Sequence, residues 1–252
     1  MAKLSNEDKS LFLKHGIIRL RRRVPLKLLQ KIQSSIRTEL ERLNIISQGK
    51  ISSAKIQNLS VFQQTGRLGQ LVKIGRELDQ IISTDLIDDM NFLAGKKLKP
   101  VQLSPQLLLS LPHRKDWSLD HLNWHLDLEI PYHDVIPGIQ AFVLIDDLKV
   151  HGGATLAIAG SHKLPYSNKP ESESAQKLLR QDEIFRPLFD GAIQNPERYF
   201  RPKNMSGIEV FLVEMHGSAG DVYLMDLRVL HSPSINATKN IRMMATNRFV
   251  LT

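Results

Sequence analysis

The segment Asn123-Trp124-His125-Leu126-Asp127-Leu128 decides how this sequence is interpreted. On a β-strand, residues two positions apart project to the same face, so we expect the His125 imidazole and the Asp127 carboxylate to lie side by side. Both groups are common metal ligands, so the pair predicts part of a metal site. One His-x-Asp tripeptide in a chain with nine histidines is weak evidence alone, and the rest of the sequence must supply further ligands.

His231 is the strongest candidate for a third ligand, because it follows a predicted strand and opens a turn-rich segment. Two histidines and one carboxylate on one face of an octahedron leave three positions open, which is typical of non-haem Fe(II) enzymes that bind a cosubstrate and O2. The chain contains no cysteine, so it has no thiolate metal site, no disulfide framework and no cysteine nucleophile.

The sequence around these ligands predicts a mainly β fold with flanking helices. Helical spacing dominates the first hundred residues, with helices from Ser5 to Gly16, along Leu26–Leu43 and within 68–94, and a brief strand at Ile17–Leu20. After Pro100, short apolar or alternating runs favour a β-sandwich or barrel. The predicted strands are Leu107–Leu111, Trp124–Ile130, Gln140–Ile145, Thr155–Ala159, Ile208–Met215, Asp221–Met225 and Arg242–Leu251.

We expect residues 1–252 to form a single domain. Residues 1–99 would be mainly helical support, and 100–162 with 207–252 would be the β core. The polar segment 163–206 is too long for a structureless loop in a compact domain, so we expect a partly helical insertion that serves as a lid over the site.

Composition and charge exclude several classes of protein. Hydrophobic residues make up 42% and charged residues 24%, which is typical of a globular chain. The net charge of +8 comes from residues 1–50, which hold twelve basic and four acidic residues, whereas 101–150 hold three basic and seven acidic. This distribution argues against a nucleic-acid partner. Without a membrane-length apolar run or a signal-like start, we expect a cytoplasmic protein with no membrane span; its oligomeric state is left open.

The motifs, taken in order, resemble the phytanoyl-CoA dioxygenase-like family of Fe(II)/2-oxoglutarate-dependent oxygenases. Trp124-His-Leu-Asp127 is similar to the family's W-H-x-D, and Gly152-Gly153 through Gly160-Ser-His-Lys163 is similar to its glycine-rich stretch ending in G-S-H-K. His231 with Arg242 eleven residues later resembles the closing pair. The resemblance implies a double-stranded β-helix (jelly-roll) core.

The resemblance also implies a set of site residues. His125, Asp127 and His231 would bind Fe(II), and Arg242 would pair with the distal carboxylate of 2-oxoglutarate, which suits a planar guanidinium. Arg248 is a rival, because it lies six residues further along the same predicted strand and so on the same face, but its spacing from His231 fits less well.

Further cosubstrate contacts are predicted at Gln106, Ser110 and Ser232. Gln106 and Ser110 are four apart, as are two cosubstrate-binding residues in some family members. Pro233 stands where the family often has Ser or Thr, which leaves the second cosubstrate contact open. Trp117, Trp124 and Tyr132 are candidate walls of the pocket.

The activity that the resemblance implies is O2-dependent hydroxylation of an unactivated C–H bond, with release of succinate and CO2. The carboxylate of Asp127 argues against halogenation, because related halogenases carry a small residue there; desaturation and ring formation stay open. The substrate would be a small metabolite, such as a free or modified amino acid or a secondary metabolite. The alternatives are a jelly-roll metal-binding sensor or inactive module and, less favoured by the charge distribution, a nucleic-acid demethylase.

Overall fold

The computed structural model describes residues 3–47, 50–51, 59–113, 116–120, 122–127, 135–164, 171–191 and 193–251. Within these residues the helices are α1 (Asn6–His15), α2 (Leu26–Arg42), α3 (Val61–Leu71), α4 (Thr84–Ala94), α5 (Glu171–Gln181) and α6 (Pro187–Asp190), with short 3-10 helices at Asp79–Ile81, Ser161–Lys163 and Pro196–Phe200. The strands are β1 (Ile17–Leu20), β2 (Ile46–Ser47), β3 (Lys50–Ile51), β4 (Leu98–Pro100), β5 (Gln106–Ser110), β6 (Gly138–Leu144), β7 (Thr155–Ala159), β8 (Lys203–Met205), β9 (Ile208–Glu214), β10 (Val222–Asp226), β11 (His231–Pro233) and β12 (Arg242–Leu251).

Two antiparallel sheets form the centre of the fold. The larger sheet has the order β1-β10-β6-β12-β4, and β5 pairs with β12 beside β4. The smaller sheet has the order β11-β7-β9-β8, and β2 with β3 makes a separate two-stranded ribbon. This arrangement is the jelly-roll core with flanking helices, so the predicted fold class is confirmed.

Alternate residues of the larger sheet face two different apolar cores. One set packs against the smaller sheet, and the other set packs against helices α2 and α4, as the period of two along a strand requires. The first core contains Phe142, Leu144, Tyr223, Met225 and Met244 together with Ala157 and Ala159 of β7. The second core contains Ala141, Val143, Leu224 and Ala245 together with Leu29, Ile32 and Ile36 of α2 and Leu86, Met90 and Leu93 of α4.

The N-terminal segment is part of this core. The Ser5 hydroxyl accepts the Asp8 amide and the Asp8 side chain accepts the Ser5 amide, so α1 begins with the expected capping box. Gly16 ends the helix at φ 73°, and the chain turns directly into β1, an edge strand of the larger sheet paired with β10. The predicted helical stretch 68–94 is divided into α3 and α4, because Val72 is extended after α3 and the Ser83 side chain caps a new helix.

The described part of the insertion 163–206 is partly helical and covers the outer face of the smaller sheet. Leu179, Phe185 and Leu188 of the insertion pack there with Leu156 and Trp124. None of the described residues of this segment lines the cavity beside the candidate metal ligands, so the structure does not bring the lid expected at 163–206 to that cavity. Across the described ranges, no helix has the length and apolar character needed to cross a membrane.

Candidate active site

The three predicted metal ligands meet at one point between the two sheets. Nε2 of His125 lies 3.7 Å from Oδ1 of Asp127, and Nε2 of His231 lies 3.6 Å from Oδ2. One ligand atom from each residue lies within 4.8 Å of the other two. Two backbone hydrogen bonds join His125 and His231, with N–O distances of 3.0 and 3.1 Å, so the two histidines are held by the main chain.

His125 does not lie in the strand predicted at Trp124–Ile130. Among residues 122–127 it forms an isolated bridge with His231, and 128–130 lie outside the described residues. The ladder does not run on toward Asn123, because its next hydrogen-bonded partner would be Pro233, which has no amide hydrogen. The Trp124 carbonyl points the other way and accepts from the Gln176 side chain at 2.6 Å. The predicted proximity of His125 and Asp127 is nevertheless found, through a bridge instead of a strand.

Both imidazoles are oriented by hydrogen bonds from their other nitrogen. Nδ1 of His125 lies 2.7 Å from the Asn123 carbonyl, and Nδ1 of His231 lies 3.1 Å from the Val229 carbonyl. A carbonyl oxygen only accepts, so each Nδ1 carries the proton and donates it. Nε2 is therefore the ring nitrogen of each histidine that faces Asp127, and it can bind a metal once it is deprotonated.

The Asp127 carboxylate is held from the side of the larger sheet. Nε2 of Gln140 donates to Oδ2 at 2.6 Å and also to the Thr246 hydroxyl at 3.1 Å. The Thr246 hydroxyl in turn donates to the Ala141 carbonyl at 2.9 Å, which fixes the direction of the chain of hydrogen bonds. Nη1 of Arg248 lies 3.5 Å from Oδ1. These contacts fix the position of Asp127 between the two histidines.

The electrostatics of the cluster favour a charged carboxylate. Burial disfavours the ionised Asp127, but the hydrogen bonds with His125 and His231 and the charge of Arg248 outweigh it, so the pKa of Asp127 is well below its usual range. Burial lowers the pKa of His125, whereas Asp127 and the Asn123 carbonyl raise it, and the net pKa is raised. A metal ion that binds here would displace the proton from His125.

The donor set fits a non-haem Fe(II) ion. Two neutral imidazoles and one carboxylate, gathered on one side of a cavity and backed by fixed hydrogen bonds, are the ligands that such ions take in oxygenases. The residues present therefore match the metal that the sequence predicts, with His125, Asp127 and His231 as the group that could hold it.

A cavity of about 160 Å³ opens beside the three ligands. Its walls come from the inward faces of both sheets and from one turn of helix α3. Gln106, a predicted cosubstrate contact, is among the residues that line this cavity. The lining residues are Thr65, Gly66, Gln106, Leu108, His125, Asp127, Gln140, Phe142, Thr155, His231, Pro233 and Thr246.

Arg242 is a buried cation with no acidic partner among the described residues. Arg242 is only 1% exposed. Its Nη1 donates to the Gly153 carbonyl, and its Nη2 donates to the Thr65 hydroxyl at 3.1 Å. Nε has no hydrogen-bond partner, and within the described chain no carboxylate pairs with the guanidinium. Burial lowers its pKa to about 10. A buried, unpaired charge is costly, which is the condition expected of a residue that receives an anionic ligand.

The other predicted residues are placed as follows. Arg248, the rival of Arg242, contacts Asp127. The Ser110 hydroxyl donates to Oε1 of Gln64 at 3.3 Å and does not line the cavity. Ser232 pairs with Leu156 in the sheet register, so its side chain lies on the strand face opposite to His231, and its hydroxyl donates to the Pro233 carbonyl.

Neither of the two described tryptophans lines the cavity. The Trp124 indole packs under the insertion and donates to the Leu188 carbonyl at 3.2 Å. Trp117 stacks on the ring of His151 with 4.0 Å between centroids. Tyr132 lies outside the described residues.

Sequence reasoning missed several residues of the cavity wall, among them Gln140, Thr246, Thr65 and Gly66. Gln140 is the only polar side chain in the strand Gly138–Leu144, and that isolation is a signal that could have been used. Thr246 lies between Arg242 and Arg248 on one strand face, so the alternation also points to it. Thr65 and Gly66 lie on a helix far from the ligands in sequence, and no motif marks them.

A jelly roll that carries a two-histidine, one-carboxylate cluster defines the class of non-haem Fe(II) oxygenases. The sequence profile of the phytanoyl-CoA dioxygenase (PhyH) family matches residues 72–244, which is more than half of the chain. The chain therefore belongs to the phytanoyl-CoA dioxygenase family of Fe(II)/2-oxoglutarate-dependent oxygenases. No curated protein sequence was found to match the chain.

Solved structures share the fold at low sequence identity. The non-haem α-ketoglutarate-dependent carbocyclase SnoK from nogalamycin biosynthesis is 18% identical, with a TM-score of 0.61 over 98% of this chain and 84% of that one. HygX from Streptomyces hygroscopicus, with nickel and 2-oxoglutarate bound, is 18% identical, with a TM-score of 0.59 over 99% and 88%. The epimerase SnoN, in complex with Fe3+, α-ketoglutarate and nogalamycin RO, is 16% identical, with a TM-score of 0.55 over 97% and 82%.

Proposed function

We propose that the protein is an Fe(II)- and 2-oxoglutarate-dependent dioxygenase that hydroxylates an unactivated C–H bond of a small metabolite and releases succinate and CO2. The observation that carries the proposal is the cluster of His125, Asp127 and His231 on the wall of a cavity. The buried, unpaired Arg242 supports it, because a site for a dicarboxylic acid needs a cation beyond the metal ligands.

In this proposal His125, Asp127 and His231 hold Fe(II), and Arg242 takes the distal carboxylate of 2-oxoglutarate. Gln106 borders the same cavity and is a further candidate contact, whereas Ser110 and Ser232 are given no role. The bound metal supplies the activation of O2 and the oxidative decarboxylation of 2-oxoglutarate that hydroxylation requires. One oxygen atom of O2 goes to succinate and the other to the substrate hydroxyl.

The residues of the chain provide orientation and a dry environment. Gln140 and Arg248 hold the Asp127 carboxylate, and the two Nδ1–H groups hold the imidazole planes. Leu108, Phe142 and Pro233 form the apolar part of the cavity wall and exclude water from the reacting bond.

Related structures favour a small-molecule metabolite as substrate, but they do not favour one reaction. SnoK is a carbocyclase from nogalamycin biosynthesis, and SnoN is an epimerase whose structure contains nogalamycin RO. Hydroxylation inserts one oxygen atom into the substrate, whereas ring closure and epimerisation do not. Mass spectrometry of products formed under 18O2 separates the outcomes: one added 18O atom supports hydroxylation, and an unlabelled product from a productive substrate contradicts it.

The experiment that tests the class of activity is O2-dependent succinate release from Fe(II)-loaded protein and 2-oxoglutarate, with and without candidate metabolites. We expect release that candidate substrates stimulate and that His125→Ala abolishes. Equal succinate production by His125→Ala would refute the proposal. The same assay distinguishes a metal-binding sensor, which would bind the metal without turnover.

A further inference from the structure

Helix α3 closes one end of the cavity with residues that no sequence motif marks. Thr65 and Gly66 line the cavity, and Thr65 also contacts Arg242. The helix spans Val61–Leu71 and so precedes the segment 72–244 that matches the family profile. This wall is therefore a feature of the chain outside the matched region.

The position of α3 against the larger sheet is fixed by close contacts. A Cβ atom at Gly69 would lie 2.0 Å from the Leu107 carbonyl oxygen, so the helix backbone approaches β5 as closely as a glycine permits. Oε1 of the buried Gln64 accepts the Leu111 amide at 2.9 Å and the Ser110 hydroxyl at 3.3 Å. These contacts fix the position of the next residue, Thr65, at the end of the cavity.

The Thr65 hydroxyl accepts a hydrogen bond from a cation and has a proton that it can donate to an anion. Its oxygen accepts from Nη2 of Arg242 at 3.1 Å, and its proton is donated to the Val61 carbonyl at 2.9 Å. The Val61 carbonyl also accepts the Thr65 amide in the regular helical pattern, so it keeps a partner if the hydroxyl proton turns away. Arg242 does not itself line the cavity, but it contacts Thr65, which does. The hydroxyl can then donate to an anion that enters this end of the cavity.

The opposite wall supplies no comparable donor at Pro233. Pro233 lines the cavity but has neither a side-chain donor nor an amide hydrogen. Thr155, its partner in the sheet register, is the other hydroxyl at this wall. The Arg242 guanidinium, however, donates to the Gly153 carbonyl and to the Thr65 hydroxyl, and not to Thr155.

We propose that Thr65 is the second contact for the distal carboxylate of 2-oxoglutarate, alongside Arg242, and that helix α3 forms the closed end of the cosubstrate site. This inference rests on the proposed function. In this arrangement the Thr65 hydroxyl of α3 supplies the hydrogen-bond donor that Pro233 lacks.

The test is 2-oxoglutarate binding to Mn(II)-loaded protein without O2, measured by isothermal titration calorimetry. Thr65→Val keeps the shape of the side chain and removes the hydroxyl, and we expect it to weaken 2-oxoglutarate binding about tenfold, as for a lost hydrogen bond to a charged group. Thr65→Ser retains the hydroxyl and should bind within about threefold of the wild type. The exposed Thr84, at the start of α4, provides Thr84→Val as a matched control with unchanged binding.

A second probe separates the distal carboxylate from the rest of the cosubstrate. Pyruvate has the keto acid group but no distal carboxylate, so Thr65→Val should leave its affinity unchanged. Equal weakening of both ligands would mean that the substitution damages the site as a whole, and it would overturn the inference. Loss of 2-oxoglutarate affinity in Thr155→Val and not in Thr65→Val would assign the contact to Thr155 instead.

A variant at Gly66 tests the wall if Thr65→Val folds poorly. A Cβ atom at Gly66 would have no atom within 4 Å, so Gly66→Leu should fold and place its side chain in the cavity. We expect it to reduce 2-oxoglutarate affinity at least about tenfold, and unchanged affinity would overturn the assignment of α3 to this end of the cavity. If wild-type protein binds no 2-oxoglutarate, the proposed function fails as well, whereas normal wild-type binding with an unaffected Thr65→Val variant overturns only this inference.

Discussion

Replacing Arg242 by methionine should abolish 2-oxoglutarate binding at a modest cost to the stability of the unliganded fold. Burial lowers the pKa of Arg242 to about 10, a shift that corresponds to about 3 kcal/mol of unfavourable desolvation. The guanidinium recovers a similar amount, about 3 kcal/mol, from its hydrogen bonds to the Gly153 carbonyl and the Thr65 hydroxyl. These contributions largely offset each other, but Arg242→Met also leaves the Gly153 carbonyl without this donor, so the free energy of unfolding should fall by about 1–3 kcal/mol.

Thermal unfolding with and without the cosubstrate is the assay. At a 2-oxoglutarate concentration of about 100 times Kd, ligand binding should stabilise Mn(II)-loaded wild type by about 2.7 kcal/mol. For a chain of this size that is a rise in Tm of roughly 5–10 °C. Arg242→Met should show no such rise in Tm. Arg248→Met should retain most of the rise, because Arg248 contacts the metal ligand Asp127 and is not the residue assigned to the distal carboxylate.

Two results would refute this reasoning. A large loss of stability in unliganded Arg242→Met would mean that Arg242 stabilises the fold and is not a binding residue for an anion. A full Tm rise in Arg242→Met with none in Arg248→Met would assign the distal carboxylate to Arg248.

Three further predictions concern other parts of the molecule. Gln140→Met removes the donor to Asp127 and should weaken metal binding about 10- to 100-fold in a chelator competition assay; unchanged affinity would refute the orienting role. Gly69→Ala should cost about 2 kcal/mol in denaturant unfolding, because its Cβ would meet the Leu107 carbonyl; a variant as stable as wild type would show that α3 can shift. Burial raises the pKa of Glu214 from 4.5 to about 7, so the folded protein retains a proton that the unfolded chain releases, and stability falls as the pH rises from about 4.5 to 7. Glu214→Gln should remove up to about 3 kcal/mol of that fall, measured as unfolding free energy at pH 5 and pH 8, and equal pH dependence in both proteins would contradict the assignment.

Much of the fold could be predicted because strand periodicity is local. Ile17–Leu20, Thr155–Ala159 and Arg242–Leu251 begin and end where the sequence predicts, since each is an apolar or alternating run with turn residues at its ends. The capping box at Ser5 and the glycine at position 16 likewise set the bounds of α1 by local chemistry.

The features of the fold that could not be predicted depend on contacts between segments that are distant in the sequence. His125 is held by the backbone of His231, more than a hundred residues away, and by an insertion whose Gln176 occupies the Trp124 carbonyl. No periodicity within 123–128 could reveal those partners. The predicted strand there was wrong within the described residues, although the metal ligands it was meant to position are adjacent.

In the candidate site, too, some residues could be identified from the sequence and others could not. His125, Asp127 and His231 could be identified because ligand chemistry and spacing are visible in a sequence. Ser232 could not be assigned correctly to a strand face without the register that pairs it with Leu156. Thr65 is equally hidden, because its proximity to Arg242 depends on how α3 packs on β5.

The absorption spectrum of the protein with Fe(II) and 2-oxoglutarate in the absence of O2 tests the central claim most directly. Chelation of Fe(II) by the keto acid at a two-histidine, one-carboxylate site should give a visible charge-transfer band that saturates with 2-oxoglutarate and is absent in His231→Ala. A wild-type protein that binds Fe(II) but develops no such band, or a band that persists in His231→Ala, would contradict the account.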